Sequence, residues 1–333
     1  MELTPTIDAA VTPVVEHGPR ASEFDVVVEK VTPEADGVIS LRLAGPGAGP
    51  LPSWGPGAHI DVVVGGGLIR QYSLCGDAED GRHWTIAVLR EAQSRGGSEW
   101  IHTGIQAGDR LRVRGPWNNF PLVMAEEYVF IAGGIGITPL LPMIRQVDRG
   151  DSGWHLLYGG RRRASMAFLG QLEPFGDRVR IVPEDEFGLL DLDTWIASPR
   201  PGTLVYCCGP EALIAAVEER CSLWPAGSLH VERFHPRPGA LDGENTAFEV
   251  VCARSGLTVT VGADEAIVTA LERNGVYVPT SCAEGICGTC QTAVVGGVPD
   301  HRDSFLVGKK REDHTTIMVC CSRARTSRLV LDL

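Results

Sequence analysis

Short apolar runs broken by Gly, Pro and Asp fill the first third of this 333-residue chain. EFDVVVEKV (23–31), GVISLRL (37–43), AHIDVVV (58–64), IRQYSL (69–74), HWTIAVL (83–89) and DRLRVRG (109–115) are strand-sized, several with apolar and polar positions alternating. Such a series predicts an antiparallel β-barrel reaching to about residue 121. From Tyr128 the pattern changes. YVFIAGG, HLLYGG, RVRIVPE, TLVYCCG and SLHVERF read as strands, and TPLLPMIRQVD, MAFLGQLE, DLDTWIA and EALIAAVEER as helices between them. Strands interleaved with helices predict an α/β unit with a doubly wound parallel sheet. A third pattern begins at Ala247. AFEVVCARSG and LTVTVG read as a hairpin, Asp264 and Glu265 as the cap of a helix through Arg273 that ends at Asn274-Gly275, and QTAVVGG and LVLDL as closing strands. HPRPGALDGEN (235–245) is aperiodic and rich in Pro and Gly, as a linker is. The expected division is a flexible arm at 1–21, a barrel at 22–121, an α/β unit at 122–235, a linker at 236–246 and a small α+β unit at 247–333.

Composition narrows the function classes. Charged residues make up 22% and hydrophobic residues 44%, as in ordinary globular chains. The formal net charge of −12 argues against nucleic acid and anionic membrane, and suggests that a protein partner would offer a basic patch. No run approaches eighteen apolar residues, and the first residues lack the basic start and apolar core of a signal peptide. The ten cysteines show no secreted disulfide spacing, so a reducing cytoplasm is expected.

The cysteines carry the most pointed chemistry. SCAEGICGTC (281–290) sets Cys282, Cys287 and Cys290 as C-x4-C-x2-C, with Cys320 following after 29 intervening residues. That is the plant-type spacing for a [2Fe–2S] cluster. Structural zinc prefers two C-x2-C-like pairs, and only one is present. Small residues between the ligands, Gly285 and Gly288 among them, allow the loop to turn its N–H groups toward the cluster sulfurs. Cys320 and Cys321 compete for the fourth position.

Two further regions suggest nucleotide chemistry. Arg70, Gln71, Tyr72 and Ser73 place a cation, a phenol and a hydroxyl along one strand. Arg95, Gly96, Gly97 and Ser98 precede a short helix, where backbone N–H groups can seat a phosphate. An ordinary strand and glycine turn would read the same way. In the α/β unit, Gly133, Gly134 and Gly136 precede Thr138-Pro139, so backbone can approach a pyrophosphate at a helix start. Arg161, Arg162 and Arg163 form a cationic spot for a ribose or phosphate, or a solvated loop. Cys208, Gly209 and Pro210 end another strand, where a buried thiol at a tight turn is the alternative. The arginine loop shows no obvious acid, which leaves NADPH open beside NADH. His301-Arg302-Asp303 spells a kinase triplet but lacks the other kinase motifs, and reads as a polar turn.

RQYSL, RGGS, GPWNNF, GGIGITP, YCCGP and the cysteine loop occur in the order seen in the phthalate dioxygenase reductase family, which the chain resembles over residues 22–333. The resemblance implies a flavin barrel, a nucleotide sheet and a β-grasp ferredoxin. It implies that Arg70, Gln71, Tyr72, Ser73, Ala87, Val88, Leu89, Gly96, Gly97 and Ser98 hold the flavin, FMN rather than FAD. Tyr72 and Ser73 would contact the ring system, while Arg70 and the Gly-Gly-Ser turn would take the phosphate. Gly133, Gly134, Gly136, Arg161, Gly209 and Pro210 would serve NADH. Cys208 would sit near the nicotinamide, Thr138 between the two cofactors, and Phe234 by the flavin. With Ser73, Thr138 and Cys208 form the implied catalytic set. The family's Cys-x-Ser-Arg pattern, met by Ser322-Arg323, selects Cys320 as fourth ligand and leaves Cys321 on the opposite side of a strand. The implied activity is an NADH-dependent reductase passing electrons through FMN and [2Fe–2S] to a terminal, Rieske-type oxygenase. A general reductase for a cytochrome P450 or quinone, and a plain ferredoxin carrier, are the alternatives.

Overall fold

The computed structural model describes residues 23–92, 96–306 and 308–333; the proposed N-terminal arm and Arg95 lie outside them. Six strands come first: β1 (Phe24–Ala35), β2 (Val38–Ala44), β3 (His59–Val64), β4 (Leu68–Ser73), β5 (His83–Leu89) and β6 (Arg110–Trp117). They form an antiparallel sheet in the order β4-β3-β6-β1-β2-β5. A bridge between Leu74 and Ile86 joins its two ends, so the sheet closes as a barrel. Alternation explains the closure. Leu111 and Val113 point inward while Arg110 and Arg112 face out, and the interior is filled by Leu41, Leu43, Ile60, Val62, Trp84 and Ile86. Burying each such side chain contributes roughly 1.5–3 kcal/mol. One strand breaks the pattern. On β3 the outward-facing His59 and Asp61 are also buried, which requires that another part of the molecule cover them.

The middle unit holds β7 (Glu127–Gly133), β8 (Gly153–Gly160), β9 (Val179–Pro183), β10 (Thr203–Cys208) and β11 (Leu229–Glu232). They run parallel in the order β11-β10-β7-β8-β9. Because residues alternate across the sheet, Phe130, Tyr158 and Tyr206 pack with helix Ile137–Asp148 on one face. Val129, Ile131 and Val205 pack with Ile214 and Val217 of helix Glu211–Arg220 on the other. Two expected helices shrink to single turns. Within MAFLGQLE only Leu169–Leu172 is α-helical, because Phe168 takes a positive φ of 64° and Pro174 follows. In DLDTWIA only Asp193–Ile196 is helical, ending ahead of Pro199.

The last unit contains β12 (Phe248–Cys252), β13 (Thr258–Val261), β14 (Gln291–Gly296), β15 (Pro299–Asp300), β16 (Thr316–Met318), β17 (Arg323–Ala324) and β18 (Arg328–Leu331). The main sheet has the order β13-β12-β18-β14-β16, with β12 and β18 parallel and the other pairs antiparallel. Helix Ile267–Arg273 crosses it through Ile267, Ala270 and Leu271, giving the β-grasp arrangement. Asp264 and Glu265 do not cap this helix. Its N-cap is Ala266, without a side-chain bond, and Glu265 instead reaches Arg273 at 2.6 Å. The far end matches expectation, with Asn274 as C-cap and Gly275 at φ 81°.

The segment read as a linker is tied at both ends. Arg237 donates to Glu218 at 2.7 Å, and its N–H donates to Ser304 Oγ at 2.8 Å. Arg302 donates to Asn245 Oδ1 at 2.6 Å and to the Glu244 carbonyl at 2.8 Å. Arg302 belongs to the HRD triplet, read from sequence as a polar turn, and all three of its residues are buried. Asp303 accepts the Leu306 N–H at 2.6 Å and lies 3.8 Å from Arg311.

The glycines at the ends of β7 and β10 divide between two physical roles. A Cβ on Gly136 would run into the Cys208 carbonyl, and one on Gly133 would lie 2.6 Å from Pro210 Cδ. Gly134 faces open space but holds φ at 54°. Gly136→Ala should therefore lose about 1–3 kcal/mol through overpacking, against about 1 kcal/mol of left-handed strain for Gly134→Ala. Thermal unfolding of the two variants should show the larger drop for Gly136→Ala; equal melting temperatures would contradict this division.

Candidate flavin, nucleotide and iron–sulfur centres

The three C-x4-C-x2-C cysteines and Cys320 converge. Cys282 lies within hydrogen-bonding reach of both Cys287 and Cys320, and Cys290 of Cys320. None of the ten cysteines is in a disulfide. The four sulfurs interact with one another directly, and among the described residues no group of three or more His, Cys, Asp or Glu is spaced to hold a metal ion. The loop also carries donors toward the sulfurs: Glu284 N–H points at Cys282 Sγ over 3.4 Å. Gly285 and Gly288 hold φ at 69° and 77°, and a Cβ on either would strike Asp303 or Phe305. Four thiols with inward N–H groups fit a thiolate-ligated [2Fe–2S] cluster. Thiol contacts and burial push Cys287 and Cys290 upward, and bound iron would reverse this by taking the thiolate form. Cys321 Sγ lies 3.9 Å from the Met318 carbonyl and 3.8 Å from Ser322 Oγ, and 2.5 Å from where a Cβ on Gly285 of the cluster loop would stand. The two neighbours are separated by a turn after β16, not by the pleat of a strand.

On the barrel, Arg70 and Tyr72 lie on one side of β4, Gln71 and Ser73 on the other. Arg70 donates to the Ile69 carbonyl at 2.8 Å and packs so close to helix Gly97–Gly104 that a Cβ on Gly97 would be 2.8 Å from its Cγ. Gly96 caps that helix at φ 96°. A guanidinium beside the first amides of an eight-residue helix fits a phosphate group. Ser98 is already engaged, accepting the Glu91 N–H at 3.1 Å. Burial pushes the Tyr72 phenol up to about 12, with Arg70 pulling it down, so it stays neutral. Ala87 and Val88 are buried, the latter inside the barrel, and the Val88 carbonyl is 2.9 Å from His102 Nε2. Leu89 is half-buried.

At the carboxyl ends of the parallel strands, Cys208 and Thr138 are both buried, and Thr138 Oγ1 donates to the Ile135 carbonyl at 2.9 Å. Gly209 backs onto Gly133, and Pro210 caps helix Glu211–Arg220. Phe234 is half-buried just beyond β11. The arginine loop is not free of acids. Arg163 pairs with Glu186 at 3.2 Å, and the Asp185 N–H donates to the Arg161 carbonyl at 3.3 Å. Helix Glu184–Phe187 thus brings carboxylates beside exposed Arg161.

Sequence reasoning missed Glu232. It ends β11 directly beside Cys208. The residue is half-buried, yet its Oε2 is shut off from solvent and has no hydrogen-bond partner. Burial pushes its carboxyl up to about 8, and the Ser73 hydroxyl pulls the other way. Ser73, Cys208 and Glu232 therefore meet where barrel and parallel sheet touch. The signal was a carboxylate two residues before Phe234, at the carboxyl end of a parallel strand, where ligands bind. Two tethers from the barrel to the cluster loop were also missed. Gln71 donates to Ser281 Oγ at 2.6 Å, and Asn119 Nδ2 donates to the Cys287 carbonyl. Nothing local in the sequence links positions 210 and 168 residues apart.

Two outcomes follow from this geometry. Cys320→Ala should abolish the visible absorption of the cluster while Cys321→Ala leaves it, and the reverse would overturn the ligand assignment. Glu232 is protonated in the folded state up to about 8 but ionises near 4.5 when unfolded. Its contribution is full below 4.5, falls as pH rises, and is lost above about 8. Melting temperatures of Glu232→Gln and the parent chain should diverge across that window in favour of the variant; a constant difference would contradict the buried, protonated carboxyl.

Comparison with known proteins matches this geometry. The family model for a 2Fe-2S iron-sulfur cluster binding domain matches residues 250–325. Phenoxybenzoate dioxygenase subunit beta of Ectopseudomonas oleovorans is 41% identical over 90% of this chain and 94% of its own length. The solved structure of phthalate dioxygenase reductase, described as modular for electron transfer from pyridine nucleotides to [2Fe–2S], superposes with a TM-score of 0.68 at 36% identity, covering 93% of this chain and 98% of that one. An intact type IV self-sufficient cytochrome P450 monooxygenase superposes with a TM-score of 0.84 at 41% identity, covering 98% of this chain but 43% of the longer one. With the barrel, the parallel sheet and the β-grasp cysteine loop in the same order along the chain, it belongs to the phthalate dioxygenase reductase family of flavin-, pyridine nucleotide- and [2Fe–2S]-dependent oxidoreductases.

Proposed function

We propose that this chain is the reductase component of a Rieske-type oxygenase system, using NADH, FMN and its own [2Fe–2S] cluster. The observation that carries the reading is the contact of the cluster loop with β4. Gln71, between Arg70 and Tyr72 of the flavin seat, touches Ser281, which directly precedes Cys282. Units at 22–121, 122–235 and 247–333 would hold the flavin, the nucleotide and the cluster in turn. When bound, nicotinamide supplies electrons in pairs, the flavin accepts pairs and releases them singly, and the cluster carries one at a time.

The chain's own groups orient and shield. Arg70 and the amides after Gly96 take the flavin phosphate; Tyr72 and Phe234 pack against the ring system, with Gln71, Ala87, Val88 and Leu89 beside it. Ser73 presents its hydroxyl to the flavin edge, and Glu232 behind it holds a proton at neutral pH. Cys208 and Thr138 form the wall met by the nicotinamide, and Gly134 leaves room for the pyrophosphate. Arg161 reaches the adenosine end. The carboxylates of helix Glu184–Phe187 next to it favour an unphosphorylated ribose, hence NADH. Cys282, Cys287, Cys290 and Cys320 hold the iron. No described helix is long and apolar enough to cross a membrane.

A second reading, a reductase serving a cytochrome P450, is favoured by the fused monooxygenase noted above. Mixing the purified chain with a Rieske-type oxygenase of aromatic acids should give substrate-dependent NADH consumption, and with a cytochrome P450 none. The opposite result would select the P450 reading. The net charge of −12 should make transfer to the oxygenase slow as salt rises; a flat response would remove electrostatic docking from the account. NADH should exceed NADPH in kcat/KM by tenfold or more, and a preference for NADPH would contradict the role given to the acids near Arg161.

A further inference from the structure

Two side chains from paired barrel strands and one from more than 200 residues further on close a hydrogen-bonded triangle where the barrel meets the cluster loop. Gln71 Nε2 donates to Ser281 Oγ at 2.6 Å and lies 3.3 Å from Asp61 Oδ1. Ser281 Oγ in turn donates to the same Asp61 oxygen. The strand register prepares the site. Asp61 of β3 stands opposite Gln71 of β4 on one side and Arg114 of β6 on the other. Asp61 is 0% exposed and Ser281 8%, so water does not compete for these bonds. The imidazole of His59, pushed down to about 4 by burial, is neutral and lies 3.2 Å from Gln71 Nε2.

This arrangement is costly unless it does something. A carboxyl group is buried with its Oδ2 lacking any hydrogen-bond partner, which leaves the desolvation of that oxygen uncompensated. An apolar pair would cover β3 with no such penalty. What the polar triangle adds is direction. It fixes one Ser281 position relative to β4, whereas an apolar contact would allow sliding. The residues on either side are those that matter for transfer. Gln71 is flanked by Arg70 and Tyr72, and Ser281 is bonded to Cys282. Asn119, donating to the Cys287 carbonyl, pins the other end of the loop.

We propose that Asp61, Gln71 and Ser281 form a latch that sets the position of the cluster loop against the flavin strand, and that passage of electrons from flavin to cluster depends on it. The inference rests on the electron-transfer reading given above. Asp61 and Ser281 are positioning residues. Neither is among the residues assigned to the flavin phosphate or the cluster iron, and both act through β4 and the loop backbone.

The test uses the intact, fully loaded chain and three variants. Ser281→Ala removes the hydroxyl that bridges Gln71 and Asp61. Asp61→Asn keeps the volume but weakens the acceptor of the Ser281 proton. Ser281→Thr keeps the hydroxyl. In anaerobic rapid mixing with NADH, flavin bleaching should stay within about twofold of the parent in all three, because the nucleotide side is untouched. Cluster reduction should slow at least tenfold in Ser281→Ala and Asp61→Asn and recover in Ser281→Thr, with the cluster midpoint potential unchanged. Deuterium exchange of the amides at 281–290 should rise in the first two variants and not in the third. Parental cluster reduction in both Ser281→Ala and Asp61→Asn would overturn the latch. So would unaltered exchange, or a potential shift large enough to explain the slower rate. Should Ser281→Ala fail to load iron, Asp61→Asn, which is remote from the ligands in sequence, decides alone. Failure of NADH to bleach either chromophore in the parent chain would instead overturn the electron-transfer reading itself, so the two failures are distinguishable.

Discussion

Strand Leu68–Ser73 is where the three units meet, and the pleat of that one strand decides what each of them can reach. Alternation sends Arg70 and Tyr72 to one side, and Gln71 and Ser73 to the other. Arg70 packs at the start of helix Gly97–Gly104. Gln71 bonds to the loop that carries the iron ligands. Ser73 faces Glu232 at the end of the parallel sheet. A register slip of one residue would exchange the two sets and disconnect all three contacts. The barrel core prevents such a slip, because Ile60 and Val62 on the neighbouring strand must stay inside.

The cluster loop is held by buried polar groups rather than by apolar packing alone. Ser304 N–H donates to the Gly285 carbonyl at 2.9 Å, Arg311 donates to the Asp303 and His301 carbonyls at 2.8 and 2.7 Å, and Asp303 caps the turn that follows. Directional bonds suit a loop that cannot use regular secondary structure and whose glycines must hold positive φ. The same hub reaches the connecting segment through Arg302. The small unit is thereby fastened to the rest along two lines, one through the connection and one through the barrel.

How much of this was legible in the sequence depended on whether the partners were local. The cysteine spacing was readable because three ligands share one loop. The barrel and the parallel sheet were readable because the alternation and the strand–helix rhythm are periodic. The fourth ligand was reached by resemblance, and the argument that Cys321 sits across a strand was wrong in its reason, since both cysteines lie in a turn. Asp264 and Glu265 looked like a cap, yet Asp264 is exposed and Glu265 bonds to Arg273 instead. The HRD triplet reads as a polar turn because nothing local shows that it is buried, yet burial is offset there by ion pairs and carbonyl contacts. Asp61 and Glu232 were passed over for one physical reason. A lone acid in a strand looks like a solvent-facing residue until the fold places another unit over it.

The central claim is that one polypeptide converts paired electrons into single ones and delivers them to its own iron centre. Anaerobic addition of NADH to the intact chain, followed by absorption and by electron paramagnetic resonance, tests it most directly. The account predicts loss of both the flavin and the iron–sulfur bands, together with the resonance of a reduced [2Fe–2S] centre. Bleaching of the flavin alone, with the iron centre left oxidised however long NADH is present, would contradict it.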